Sequence, residues 1–237
     1  MRLALAAVAT SFLVLPAAEV ADAKCAYWGL LPSVLAGPGD APIAKDGGIL
    51  VAAVPSERGT LDKGDAAQPP WKFRGRGGLV AATVEALAPG LAVFRPGAGG
   101  TLDLEDDKHA LVGKAHVDAA ATARLGAPKV KTVTYTGESG GRRAWARVTV
   151  ELDGAIPTGA VAIVAADASG KARSWGRIAA GEPLVAFESR TCQALPNGTA
   201  ASRPGDKVTL FWVDASGRKS DLSRPIVVGG KVAPGTD

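Results

Sequence analysis

The sequence predicts an all-β protein, and three observations carry this prediction. The chain of 237 residues contains 30 Gly and 16 Pro, residue types that punctuate a chain with turns. Between them lie short segments of Val, Leu, Thr and Ala in which apolar and polar residues alternate, the pattern of half-buried strands. Hydrophobic residues make up 47% of the chain, enough to form a packed core. Many short strands joined by tight turns favour stacked sheets over helices.

Residues 1–23 have the pattern of a secretory signal peptide. Arg2 supplies the positive charge, Leu3 to Leu15 form the apolar segment, and Ala21-Asp22-Ala23 is a small-residue cleavage signal. The apolar segment is shorter than the ~20 residues that a membrane-spanning helix needs. We therefore expect an exported protein, secreted, periplasmic or at the cell surface, with no membrane span after cleavage.

Cys25 and Cys192 are the two cysteines of the chain. In an oxidising compartment, an even pair far apart in sequence predicts one disulfide. Two buried thiols are the alternative. The disulfide would tie the mature N-terminus to the second half of the chain.

The first half of the mature chain, residues 24–117, is predicted to be one β-sandwich domain. A stretch rich in small residues at 118–128, closed by Gly126 and Pro128, is expected to be a linker or a short helix. Period-two alternation predicts strands at Ile49 to Val54, Trp71 to Arg74, Leu79 to Ala86, Leu91 to Arg95 and His109 to Val117.

The second half, residues 129–229, is predicted to be a second sandwich, followed by a C-terminal tail at 230–237. Within Arg143 to Leu152, the residues Ala146, Val148 and Val150 fall on one face, which we expect to be the core side. The predicted strands are Lys131 to Thr136, Arg143 to Leu152, Ala160 to Ala166, Arg173 to Ile178, Leu184 to Ser189, Lys207 to Val213 and Pro225 to Val228. Seven strands in about 100 residues are the usual inventory of an immunoglobulin-like sandwich.

Three segments resemble bacterial immunoglobulin-like and fibronectin type III-like domains. Asp206 to Ser220 followed by Arg224 to Val228 is similar to their last two strands, with a V-x-L-x-x-x-D strand entering an A-x-G-x-x-S turn. Ala86 to Gly90 is similar to their L-x-P-G corner, and Ala41-Pro42 with Lys45 to Ile49 to their opening strand. The resemblance implies two immunoglobulin-like β-sandwich domains in tandem after the signal peptide. These families share no catalytic residues.

The charge and the motifs of the sequence limit the classes of molecule that we expect the protein to bind. The formal net charge is +4, and the basic excess lies in the second half, interspersed with acidic residues. This balance argues against nucleic acid as a partner and leaves an acidic polysaccharide or an envelope protein open. The sequence contains no nucleotide-binding loop, zinc-ligand spacing or haem motif, so no cofactor is expected.

A repeated R-x-W-x-R pattern is the most distinctive feature of the sequence. In a strand, period two places arginine, indole and arginine on one face, where they would form a cationic aromatic platform for an acidic glycan. The alternative is that the tryptophans pack between domains while arginine stems cover them. The residues concerned are Arg143, Trp145, Arg147, Arg173, Trp175 and Arg177.

Two further groups of residues are candidates for reactive sites. Asp103, Glu105, Asp107 and His109 alternate along one segment and could hold a divalent cation, although an acidic, solvated edge or turn is the simpler explanation. Gly137 to Gly141 matches G-x-S-x-G around Ser139. A strand follows it where a nucleophile elbow needs a helix, so a hairpin turn is the preferred interpretation.

The sequence therefore predicts an exported, non-catalytic, two-domain interaction module that binds an acidic glycan or an envelope partner. A periplasmic metal-binding carrier is one alternative, and a serine hydrolase with Ser139 beside His109 or His116 is the weaker one.

Overall fold

A computed structural model describes residues 29–36, 43–56, 71–105, 108–118, 123–139, 145–178, 184–190 and 203–234. Regular structure in these ranges is entirely β-strand, which confirms the predicted all-β class; the immunoglobulin type stays a prediction. The strands of the first half are β1 (Gly29–Ala36), β2 (Ile43–Ala44), β3 (Ile49–Ser56), β4 (Lys72–Gly75), β5 (Gly78–Val80), β6 (Ala82–Ala88), β7 (Leu91–Pro96), β8 (Gly100–Glu105) and β9 (Leu111–Asp118). Those of the second half are β10 (Val130–Ser139), β11 (Trp145–Leu152), β12 (Ala160–Asp167), β13 (Ala172–Arg177), β14 (Leu184–Arg190), β15 (Lys207–Asp214), β16 (Ile226–Val227) and β17 (Gly229–Pro234).

The strands form four sheets, two from each half of the chain. Sheet A has the order β1-β3-β7-β6 and sheet B the order β2-β9-β8-β4-β5. Sheet C has the order β14-β11-β10-β17 and sheet D the order β13-β12-β15-β16. Most neighbours are antiparallel, while β2 with β9 and β10 with β17 are parallel.

The four sheets stack in the order B-A-D-C because sheets A and D are apolar on both faces. In β3, Ile49 and Val51 pack towards sheet B, whereas Leu50 and Ala52 pack towards sheet D. The same alternation in β15 sends Trp212 towards sheet C and Phe211 towards sheet A. Continuous apolar runs such as these are typical of strands that are buried on both sides.

The layer between sheets A and D, called the central core below, joins the two halves. Its buried residues are Leu50, Ala52, Leu87, Ala88, Leu91 and Val93 from the first half, and Ala162, Val164, Trp175, Phe211 and Val213 from the second. The two halves therefore share a continuous apolar layer in addition to the cores between sheets A and B and between sheets C and D.

Most observed strands match predicted ones, but β1 and β8 were not predicted, and two further segments differ from the prediction. The segment predicted as one strand from Leu79 to Ala86 is divided between β5 in sheet B and β6 in sheet A, since the chain crosses between layers there without interrupting its apolar pattern. The stretch predicted as a tail contains most of β17, which pairs with β10.

Several expectations lie outside the described residues. These are the signal peptide at 1–23, the disulfide of Cys25 and Cys192, and residues 119–122 of the linker. Within the described ranges, no helix is long and apolar enough to span a membrane.

Candidate functional site

The second R-x-W-x-R pattern lies on β13, and its tryptophan is buried. Trp175 is only 6% exposed and belongs to the central core. Its indole Nε1 donates a 3.0 Å hydrogen bond to the carbonyl oxygen of Pro89 in the first half. An indole in this position joins two sheets and has no face available for stacking on a sugar, as the packing alternative expects.

The arginines that flank Trp175 have different environments. Arg173 donates from Nε to Asp167 Oδ2 at 2.6 Å, and Arg177 is exposed. Hydrogen bonds from Ser169 and Arg173 hold the pKa of Asp167 well below its ordinary value. Arg173 is thus engaged within its own hairpin.

The first R-x-W-x-R pattern lies at the start of β11, in sheet C. Arg143 and the side chain of Trp145 lie outside the described residues, while the backbone of Trp145 pairs with Glu138 on one side and Arg190 on the other. Arg147 is exposed, on the face opposite the buried Ala146, Val148 and Val150. This confirms the expected core face of β11.

Threonines extend this outer face of sheet C. Thr134 and Thr136 on β10 are exposed, and they lie opposite Thr149 and Arg147 respectively. Among the described side chains, this face carries threonine hydroxyls, the Arg147 guanidinium and the Glu151 carboxylate, which pairs with Lys131 at 2.7 Å, a surface that can hydrogen-bond to a polar partner.

The acidic segment lies on β8 and in the turn that follows it. Asp103 pairs in register with Arg74 and Lys114. Glu105 accepts both Arg74 Nε at 2.8 Å and His109 Nδ1 at 3.5 Å, and these contacts, led by the Arg74 hydrogen bond, lower its pKa. Asp107 lies outside the described residues. In the ranges that the structure describes, no group of three or more His, Cys, Asp or Glu side chains is placed to hold a metal, and the metal site stays a prediction.

Ser139 is the last residue of β10, and its side chain is outside the described part of the structure. Because β10 and β11 are antiparallel partners with Glu138 opposite Trp145, the G-x-S-x-G segment falls at the connection between two paired strands. The preferred interpretation places a hairpin turn at this connection.

An Asp-Ala-Ser-Gly turn occurs twice in sheet D, and sequence reasoning missed its importance. The first copy, called the free turn, is Asp167 to Lys171, and the second, called the docking turn, is Asp214 to Arg218. In both, the aspartate Oδ1 accepts the backbone N–H groups two and four residues later. The repeat is visible in the sequence, but the two copies have opposite exposure: the free turn is largely exposed, while most of the docking turn is buried.

The docking turn is buried because it inserts into the first half. Ser216 Oγ accepts the backbone N–H of Ala44 at 3.1 Å, and Ser216 O accepts that of Gly48 at 2.7 Å. Gly217 has φ +69°, and a Cβ there would lie 2.4 Å from Val93 Cγ2. Only a glycine satisfies both the left-handed backbone and this close approach.

Charged groups close the edge of this junction. Arg218 is 5% exposed, donates from Nε to Asp214 Oδ2 at 2.8 Å, and reaches Asp46 Oδ1 at 3.5 Å. Asp46 also accepts Arg124 at 3.3 Å. Burial acts to raise the pKa of Asp46, but the Arg124 hydrogen bond and the charge of Arg218 outweigh it, so that the pKa is lowered.

A cavity of about 260 Å³ opens at one end of the second sandwich. Trp212 and Leu152 line it from the core, Pro157 from a loop, and Lys129 and Asp153 contribute charged groups. The backbone N–H of Asp153 donates to the carbonyl oxygen of Lys129 at 2.7 Å, which fixes the two chain segments beside each other.

The comparisons with known proteins give distant structural likenesses. No protein family matches the sequence, and no curated protein matches it. Among solved structures, a biofilm-associated protein BSP domain is 17% identical with a TM-score of 0.29, over 84% of this chain and 30% of that one. The Yersinia pseudotuberculosis adhesin InvE is 14% identical with a TM-score of 0.18, over 86% and 59%. This chain spans less than two thirds of either, and at these TM-scores neither assigns a fold type or a function.

Proposed function

We propose that this protein is an exported, non-catalytic interaction module in which two β-sandwiches form one stiff body. The central core is the observation that supports this proposal most strongly. Interfaces between domains of one chain are usually more polar, and relative motion is expected unless the interface is large and hydrophobic. Here apolar residues from both halves form one contiguous buried cluster.

The docking turn supports the same proposal. Its hydrogen bonds to Ala44 and Gly48 and its contact with Val93 fix the second half at one position on the first. At the rim, Glu85 accepts Lys219 at 2.7 Å and Arg95 at 2.8 Å. Such a junction transmits force and orientation between the two halves, as a surface-exposed scaffold requires.

The outer face of sheet C is the surface we propose for partner contact. Arg147 lies there among exposed threonines, and the register places Trp145 two positions before it on the same strand. A guanidinium recognises carboxylate or sulfate groups bidentately. An acidic glycan of the cell envelope is the partner that we propose for this face.

Binding assays on immobilised glycans test this function. The mature protein is passed over polygalacturonic acid and dextran sulfate, with unmodified dextran as the neutral control. We expect binding to the acidic glycans that falls at least fivefold in Arg147→Gln and in Trp145→Ala. Arg177→Gln is the matched control, because Arg177 is exposed but lies on β13 beside a buried tryptophan. Equal binding by all variants, or no binding by the parent, would contradict the proposed face.

A further inference from the structure

We propose that the cavity between Lys129, Asp153 and Trp212 binds a small zwitterion of the free amino acid class. This proposal goes beyond the interaction function and does not depend on it. The cavity is lined by the segment just before β10, by the end of β11 with the connection to β12, and by Trp212 on β15.

The walls of the cavity are suited to a compact, partly apolar molecule. Leu152 and Trp212 are buried in the core of the second sandwich and expose part of their surface to the cavity. Pro157 adds a rigid apolar side. A volume of about 260 Å³ accommodates a free amino acid and is smaller than the usual site for a drug-sized ligand, roughly 300–1,000 Å³.

The indole N–H of Trp212 has no hydrogen-bond acceptor among the described residues. Trp212 is 3% exposed, yet no side-chain hydrogen bond of this residue exists in the described part of the chain. A buried indole usually finds an acceptor for its N–H, and Trp212 is one of the residues that line the cavity.

Two opposite charges flank the same space. Lys129 and Asp153 are exposed, and neither has an ion pair within the described residues. The carboxylate of Asp153 contributes at longer range to raising the pKa of Lys131, whose main partner is Glu151. The ammonium of Lys129 and the carboxylate of Asp153 therefore belong to exposed side chains that line the same cavity.

These groups together match one ligand chemistry. An ammonium and an indole N–H both donate, and so both suit the carboxylate of a ligand. The carboxylate of Asp153 accepts, and so suits an ammonium on the ligand. An α-amino acid carries both charges next to each other, and its side chain can lie against Leu152 and Pro157.

Calorimetry with L-leucine as the probe tests the assignment. Leucinamide lacks the carboxylate, N-acetylleucine lacks the ammonium, and glucose carries neither charge. We expect leucine to bind and each single-charge analogue to bind about tenfold more weakly, the effect of one charge-assisted hydrogen bond. The indole N–H resonance of Trp212 in a proton–nitrogen correlation spectrum should shift on leucine binding.

Substitutions of Lys129 and Asp153 test which charged group of the ligand each residue contacts. Lys129→Gln should weaken leucine about tenfold while leaving leucinamide unchanged, and Asp153→Asn should weaken leucine while leaving N-acetylleucine unchanged. Lys171→Gln and Asp221→Asn are the matched controls, because both residues are exposed and lie away from the cavity. Leucine that gives no heat and no shift at millimolar concentration overturns the proposal. So does binding of glucose as tight as leucine, or binding that neither cavity variant alters.

Discussion

Replacement of Trp175 by alanine measures how strongly the central core holds the two halves together. A buried tryptophan removes roughly 200 Å² from water, which at about 25 cal/mol per Å² corresponds to about 5 kcal/mol. Allowing for a compact unfolded state lowers this to about 3–4 kcal/mol. The Pro89 carbonyl also loses its indole donor. We therefore expect Trp175→Ala to lower the free energy of unfolding by about 3–5 kcal/mol, the usual range for such truncations.

Urea unfolding monitored by circular dichroism provides the measurement, with the midpoint and slope compared between variants. Arg177→Ala on the same strand is the control, since an exposed site changes stability by only about 0.5 kcal/mol. If the central core joins the halves, the parent protein should unfold in one transition. A loss below about 1 kcal/mol for Trp175→Ala, or two separate transitions in the parent, would refute the reasoning.

Two further predictions concern the junction. Gly170 and Gly217 occupy equivalent positions of the two Asp-Ala-Ser-Gly turns, with φ +80° and +69°, but of the two only Gly217 has a neighbour that a Cβ would meet. In thermal or urea unfolding, Gly170→Ala should lower the free energy of unfolding by about 1 kcal/mol through backbone strain, and Gly217→Ala by about 1–3 kcal/mol more through overpacking against Val93. Equal losses for the two variants would contradict the insertion of the docking turn. The second prediction is acid sensitivity. The native pKa values of Asp46 and Glu85 lie below their ordinary values of 3.8 and 4.5, because nearby cations outweigh the opposing effect of burial. The stability these carboxylates contribute is present above about pH 5 and is lost as the pH falls through the native pKa values. Urea midpoints between pH 7 and pH 3 should therefore fall below about pH 4.5, and less steeply in Asp46→Asn; an unchanged slope in that variant would contradict the assignment.

Local patterns predicted most of the described strands, although not β1 and β8, because a strand depends largely on its own residues and its own turns. The alternation from Arg143 to Leu152 gave the buried face of β11, and the Gly and Pro positions gave most strand ends. The same reasoning failed where the chain changes layers. Leu79 to Ala86 contains no Gly or Pro that would mark a break, yet it contributes to two different sheets.

The candidate sites were less predictable because the exposure of a side chain depends on which other strands pack against it. Arg143-Ala-Trp145 and Arg173-Ser-Trp175 are equivalent patterns, and the sequence offered both a platform and a packing interpretation for each. Sheet A covers Trp175. Likewise Glu105 belongs to a plausible ligand series in the sequence, but Arg74 from a neighbouring strand is its closest partner.

The sequence by itself determined that this protein is built from short strands, since apolar alternation and turn residues act over a few positions along the chain. Only the tertiary structure decided that sheets A and D meet, that one Asp-Ala-Ser-Gly turn is inserted while its twin is exposed, and that Lys129 and Asp153 flank one cavity. The physical reason is that these features arise from contacts between residues far apart in the chain. Such contacts depend on which sheet faces pack against each other, and two similar local patterns do not show which of their faces will be covered.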